Sequence, residues 1–171
     1  MYNNTPDIMK QLTFKRDPFS GKYRFYREQR KIGELRNINM LDSKFYGSLE
    51  GNNYMFHTRG FFQKNTDIWD PDNGQQIGSI TYNIWGTRAT LQVTGRTYQW
   101  RSANPFYTRW YIQEADYRWN TVHKGPSGGR IAYEPENEWM VLTGFFVAEY
   151  FTQWLVITFL PVVLLAVILT T

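Results

Sequence analysis

Two histidines, His57 in YMFHTRG and His123 in NTVHKGP, are the chain's only side chains that titrate near neutrality as ordinary bases. His57 with Asp67, or His123 with Asp116, would make a base and its orienting carboxylate. Neither pair is joined by a serine in a G-x-S-x-G elbow, and no H-E-x-x-H occurs. With no cysteine in the chain, thiol nucleophiles and Cys-type zinc or iron–sulfur sites are excluded. Glu114 and Asp116 share one face of a strand, as a glycosidase pair could, and read more simply as solvated surface groups. Glu134, Glu136 and Glu138 in EPENE lack the spacing and glycine of an EF-hand loop, and acids at a helix start need no ion to explain them. In DPDNG, Asp70, Asp72 and Gly74 imitate the start of such a loop, but its twelfth position is Thr81 rather than Glu. The glycines fall in turns and strands, not in a phosphate-cradling loop. The expectation is a protein with no catalytic residues, no metal and no cofactor.

Charge offers more. The formal net charge is +4. Between Lys15 and Arg36, eight basic residues (Lys15, Arg16, Lys22, Arg24, Arg27, Arg30, Lys31 and Arg36) stand against Asp17, Glu28 and Glu34, so this segment alone carries +5. Such a patch suits phosphate-bearing partners, although charge runs also occur as plain solvated strand faces.

These residues need elements to position them, and those elements are β-strands. From residue 10 to 135 the pattern is short runs rich in aromatic and β-branched residues, punctuated by turn chemistry every 8–12 residues or so. DPFSG (Asp17–Gly21) and DPDNG (Asp70–Gly74) place Pro early and Gly late, as hairpin turns require. Further punctuation at EGNN, WGT, TGR and GPSGG leaves about twelve strands: 11–16, 22–29, 31–38, 44–50, 53–60, 61–69, 75–85, 88–94, 96–102, 106–114, 117–124 and 129–134. Leu91 and Val93 share a face. So do Phe106, Thr108, Trp110 and Ile112, opposite Tyr107, Arg109 and Tyr111. A closed antiparallel barrel of twelve strands is too wide for its own side chains to fill.

The filler is the C-terminal segment. After Asn137, a plausible N-cap, residues 139–153 are apolar nearly all round, which marks a helix buried in a large core or in lipid. Val141, Leu142, Phe145, Phe146 and Tyr150 are its expected core contacts. The chain then ends in WLVITFLPVVLLAVILTT, and no charge follows Glu149. Trp154, Leu155, Phe159, Pro161, Leu164 and Leu165 mark this tail as a candidate membrane anchor, bent or broken at Pro161. The organisation expected is an N-terminal arm (1–9), a barrel with its central helix (10–153) and an anchor (154–171). No N-terminal secretory signal is apparent.

The order of strands and helix resembles that of the tubby-like superfamily, which includes tubby C-terminal domains, phospholipid scramblases and LURP-one-related proteins. GKYRFYRE (Gly21–Glu28) is similar to a scramblase strand in which an aromatic-basic run follows a turn glycine. DNGQQIGSITYNIWGTRATLQV (Asp72–Val93) resembles the scramblase and LURP-one stretch with an isoleucine-glycine pair and a hairpin. VLTGFFVAEYFTQW (Val141–Trp154) resembles the scramblase terminal helix, with an acid buried among aromatics. The likeness spans roughly 20–155. The proline-rich arm, cysteine cluster and Asp-rich calcium loop of scramblases are absent, so lipid translocation does not follow from it.

The function expected is a non-enzymatic, membrane-associated barrel with a single C-terminal anchor. Lys22, Arg24, Arg27, Arg30, Lys31 and Arg36 would meet the headgroups of an anionic phospholipid membrane, and no nucleic acid partner is expected. Two alternatives use the same parts: an accessory structural subunit of a membrane protein complex, and a small-ligand-binding barrel with an empty interior and its helix outside.

Overall fold

A computed structural model describes residues 10–39, 44–59, 65–115, 117–119, 122–123, 128–134 and 137–170. The expected arm, residues 1–9, lies outside them, as do Asp116, Glu136 and Thr171. The strands are β1 (Lys10–Arg16), β2 (Tyr23–Arg27), β3 (Arg30–Asn39), β4 (Lys44–Leu49), β5 (Asn52–Arg59), β6 (Asn65–Asp70) and β7 (Gln75–Tyr82). There follow β8 (Arg88–Val93), β9 (Arg96–Ser102), β10 (Trp110–Glu114), β11 (Tyr117–Trp119), β12 (Val122–His123), β13 (Gly128–Tyr133) and the helix α1 (Glu138–Thr170). All strands belong to one antiparallel sheet, in the order β11-β10-β9-β8-β7-β6-β5-β4-β3-β2-β1-β13-β12.

The fold is therefore mainly β with one C-terminal apolar helix, but the expected closed barrel is corrected to an open sheet. Eleven strands have five or more residues, and the two edges, β11 and β12, have three and two. Among the described residues no ladder joins those edges. The reason lies in the segment expected as one strand, 117–124. It is divided, with its first part pairing β10 and its second pairing β13, so the chain passes from one edge to the other without either part pairing on both sides.

A second correction concerns 106–114. Only Trp110–Glu114 is strand, and residues 103–109 form a loop in which Phe106 is exposed and Tyr107 buried. Asn104 explains the break: its Oδ1 accepts from the backbone N–H groups of Thr108 (3.0 Å) and Arg109 (3.1 Å), giving those donors a local partner in place of a ladder.

The sheet curls around the first half of α1. Met140 through Glu149 are buried on every side, and Phe151 with them. Phe146 stacks on Phe56 of β5 (4.6 Å between centroids) and meets Phe45 of β4 edge-on (5.2 Å). Phe145 touches Phe14 of β1 and Phe25 of β2 on one limb of the sheet and Trp110 of β10 on the other. All the expected core contacts face the sheet: Val141, Leu142, Phe145 and Phe146 are buried, and Tyr150 stacks on Tyr82 at 4.1 Å. The interior that a small-ligand barrel would need empty holds the helix.

The helix differs from expectation at its C-terminal side. It is continuous for 33 residues and runs through Pro161, which costs one backbone hydrogen bond without ending it where the neighbouring turns hold. At 1.5 Å per residue this is a rod of about 50 Å. Trp154 and Leu155 are half-buried, while Val156, Ile157, Phe159, Pro161 and Leu165 stand outside the sheet; Leu164 lies in the same helix.

Candidate functional site

Three charged clusters organise the surface and one end of the core. On the outer face of β2 and β3, Glu34 gathers Lys22 (3.0 Å), Arg36 (3.1 Å) and Lys31. Its carboxyl is held down to about 2: burial pushes it up, and the ammonium groups of Lys31 and Lys22 more than reverse this. Arg24 sits directly opposite Glu34 on β2, and Lys15 opposite Arg24 on β1. This face thus carries several cations around one carboxylate.

The remaining two expected headgroup ligands sit elsewhere. Arg27 turns towards the end of the sheet at which the helix begins, where it pairs with Glu50 and donates to the Tyr133 hydroxyl (2.6 Å). Tyr133 in turn donates to Glu50 (2.8 Å), as does Lys10 (3.0 Å). Glu50 is likewise lowered to about 2, its burial outweighed by Arg27, Lys10 and Tyr133. Arg30 is exposed beside the turn at that same end. The six basic residues are therefore not one site: Lys22, Arg24, Lys31 and Arg36 come together, and Arg27 is committed inward.

The third cluster is the buried carboxylate of Glu149, 2% exposed. Arg16 grips it with two hydrogen bonds, Nε to Oε2 at 2.9 Å and Nη2 to Oε1 at 3.1 Å. Tyr23 donates to the same carboxylate at 3.2 Å and Gln153 at 3.3 Å. Burial, followed by the carboxylate's charge, pushes the Tyr23 hydroxyl well above its usual range, so it stays a donor. Gly21 makes room. It has φ of 64°, and a Cβ there would lie 2.5 Å from Glu149 Oε1. The sequence pointed to an acid among aromatics at this place; it gave no sign that Arg16 was the partner.

Of the residues considered for catalysis, the described ones bring together only His57 and Asp67; Asp116, the partner expected for His123 and Glu114, lies outside them. His57 stands directly opposite Asp67, and Asp67 opposite Ser79, on adjacent strands. The carboxylate is thus in the middle, which leaves imidazole and hydroxyl about 10 Å apart at the usual strand spacing. Asp67 is taken by Arg59 and by Gln76 (3.1 Å). His123 lies in β12, and Glu114 pairs with Arg96. Among the described residues no group of three potential ligands could hold a metal ion. At the helix start, Asn137 donates its amide to Glu134 (3.3 Å), and its backbone carbonyl accepts from Met140 and Val141.

What remains is a surface. The helix leaves the sheet at the end that also carries the loops 17–22, 83–87 and 103–109. Phe19, Ile84, Trp85 and Phe106, the exposed large apolar side chains of those loops, all lie there, beside the exposed helix segment. No protein-family model, no curated protein and no solved structure matches this chain, so the tubby-like resemblance rests on the sequence words and the element order.

Proposed function

We propose that this protein is a non-enzymatic, membrane-anchored module of tubby-like architecture, in which the sheet and the enclosed half of α1 form a rigid body held on an anionic phospholipid membrane. The exposed half of the helix carries this reading. Val156, Ile157, Phe159, Leu165 and Ile168 would leave in water an apolar surface far larger than soluble monomers tolerate. Residues 155–170 measure about 24 Å along the axis. That is short of the roughly 30 Å hydrocarbon layer, so local thinning or the partly exposed Trp154 at the interface absorbs the difference. The same shortness favours a second reading, an accessory subunit whose helix packs against a neighbouring protein in the membrane. The cations around Glu34 supply the attraction for anionic headgroups.

Flotation of the full chain with liposomes tests this. The chain is expected to float with the vesicles and to stay with them in high salt and at alkaline pH, as an inserted helix does. A chain that stays monomeric and soluble without detergent or lipid would overturn the anchor. Insertion equal in neutral and anionic vesicles, with no salt-dependent contribution, would remove the headgroup role and favour the subunit reading.

A further inference from the structure

We infer that the two neighbouring loops 83–87 and 103–109 form a second membrane contact, in which Ile84, Trp85 and Phe106 enter the headgroup layer while Arg88, Arg101 and Arg109 bind its phosphates. This rests on the anchor reading and adds an orientation to it.

The two ends of the sheet differ in kind. At the end where the helix begins, the described turns (28–29, 50–51, 71–74 and 94–95) consist of Glu, Gln, Gly, Pro, Asp, Asn and Thr, with no large apolar side chain. At the helix-exit end, Ile84 is 80% exposed, Trp85 77% and Phe106 78%. These side chains are not in water because their loops are slack. Asn83 Oδ1 accepts from the N–H groups of Thr87 (3.0 Å) and Arg88 (2.9 Å), and its amide reaches the Thr87 hydroxyl (3.0 Å). Asn104 fastens the other loop by the same device. The first loop is also tied to the end of β9 from which the second one starts, through Ser102 N–H to the Thr87 carbonyl (3.2 Å). The loop 103–109 is fixed to the helix: Tyr107 stacks on Phe151 (5.5 Å), the last fully enclosed residue before the apolar tail. Rigid loops that hold apolar tips outward, beside a helix suited to lipid, have the form of an interfacial belt.

The charges below the tips point to phosphate. Arg88 and Arg101 are directly opposite each other on β8 and β9, an arrangement that destabilises a sheet unless an anion intervenes. Among the described residues neither they nor Arg109 lies within ion-pair distance of a carboxylate, and Arg101 Nε is buried with no hydrogen-bond partner. Three guanidinium groups beneath an apolar fringe match the depth order of a bilayer: acyl boundary first, phosphate next.

The chain has no cysteine, so single labels can be placed cleanly. Ile84→Cys, Phe106→Cys, Gln75→Cys (opposite end) and Ile157→Cys (tail) are each labelled with an environment-sensitive fluorophore. The full-length chain is then reconstituted in phosphatidylcholine vesicles with or without phosphatidylserine, and quenched by lipids carrying a quencher at a shallow acyl position. In anionic vesicles the labels at 84, 106 and 157 should be quenched at least threefold more than the label at 75. In Arg88→Gln/Arg101→Gln, quenching at 84 and 106 should fall to the level at 75 while that at 157 persists. Quenching at 157 alone overturns the loop contact and leaves the anchor standing; quenching nowhere removes the anchor reading itself. Labels at 84 and 106 that shift to the blue without being quenched mean a protein covers the loops and overturn the membrane contact, and quenching there that persists in Arg88→Gln/Arg101→Gln overturns the phosphate role.

Discussion

Replacing Gly144 by alanine decides by its sign whether the helix lies inside the sheet. In a helix free in solvent or lipid the change stabilises, since Ala is the better helix former by about 0.8–1 kcal/mol. Here the new Cβ would lie 2.1 Å from Cη2 and Cζ3 of Trp110. That ring cannot yield easily: it is buried, stacked against Trp100 at 6.3 Å and met edge-on by Phe145 at 5.3 Å. Restoring an ordinary contact needs a displacement of more than 1 Å in a close-packed layer, and overpacking of this kind costs about 1–3 kcal/mol or somewhat more. The shift also strains the hydrogen bond from Trp100 Nε1 to the Gly144 carbonyl (3.2 Å), worth about 1 kcal/mol. Set against the propensity gain, the net loss is about 1–3 kcal/mol. At about 2–4 °C per kcal/mol for a chain of this size, the melting midpoint should fall by roughly 2–12 °C. Thermal unfolding followed by near-ultraviolet circular dichroism, in a detergent that keeps the tail soluble, measures it. In a Trp110→Phe background, where the smaller ring leaves space, Gly144→Ala should become nearly neutral. A midpoint above that of the parent chain would refute the seating of the helix against Trp110.

Arg16→Met leaves Glu149 buried with only Tyr23 and Gln153 as donors. It should cost about 3 kcal/mol in chemical denaturation, and Arg16→Met/Glu149→Gln should regain most of that; equal losses in both would deny the pair its role. The carboxyls of Glu34 and Glu50 are both held near 2 in the fold, against an ordinary value of 4.5. Their stabilisation is thus complete above pH 4.5 and lost as pH falls from there towards 2. Melting midpoints should be flat between pH 8 and 5.5 and drop below, with Glu34→Gln/Glu50→Gln visibly flattening the drop; an unchanged acid limb in that variant would show that other groups govern it.

Much of the architecture was legible because strand alternation and turn chemistry are local. The DPFSG and DPDNG hairpins, the buried apolar helix and its core residues all follow from residue types within a few positions of each other. What stayed hidden depends on long-range pairing or on competition within a loop. The strand expected through Phe106 has the right alternation, but Pro105 can donate no ladder bond and Asn104 captures the donors of Thr108 and Arg109, so the segment folds outward. The six cations close together in sequence divide because Arg27 follows Tyr23 and Phe25 onto the inner face by strand alternation, whereas the extra residue in β3 between Lys31 and Gly33 turns Lys31 outward beside Glu34. Arg88, Arg101 and Arg109 carried no sequence signal. They converge only through strand register.

An apolar helix needs something other than apolarity to fix its depth, because burial of hydrophobic surface is non-directional and tolerates sliding. Two features of α1 provide it. Gly144 is a notch for the Trp110 ring on the β9–β10 limb, and Glu149, five residues on and about 7.5 Å along the axis, is clamped by Arg16 and Tyr23 on the β1–β2 limb. A slide of one turn, about 5.4 Å, would bring a side chain against Trp110 and part the buried Glu149 carboxylate from the half-buried Arg16 guanidinium, so both limbs penalise it. The two contacts also join the limbs of a sheet whose edge strands share no ladder among the described residues, so the helix supplies part of the closure that those strands do not. With the register held at Glu149, Phe151 is the last residue inside, and the apolar segment starts level with the loops that carry Trp85 and Phe106. The point at which the helix leaves the sheet is therefore set by a polar contact buried inside the fold.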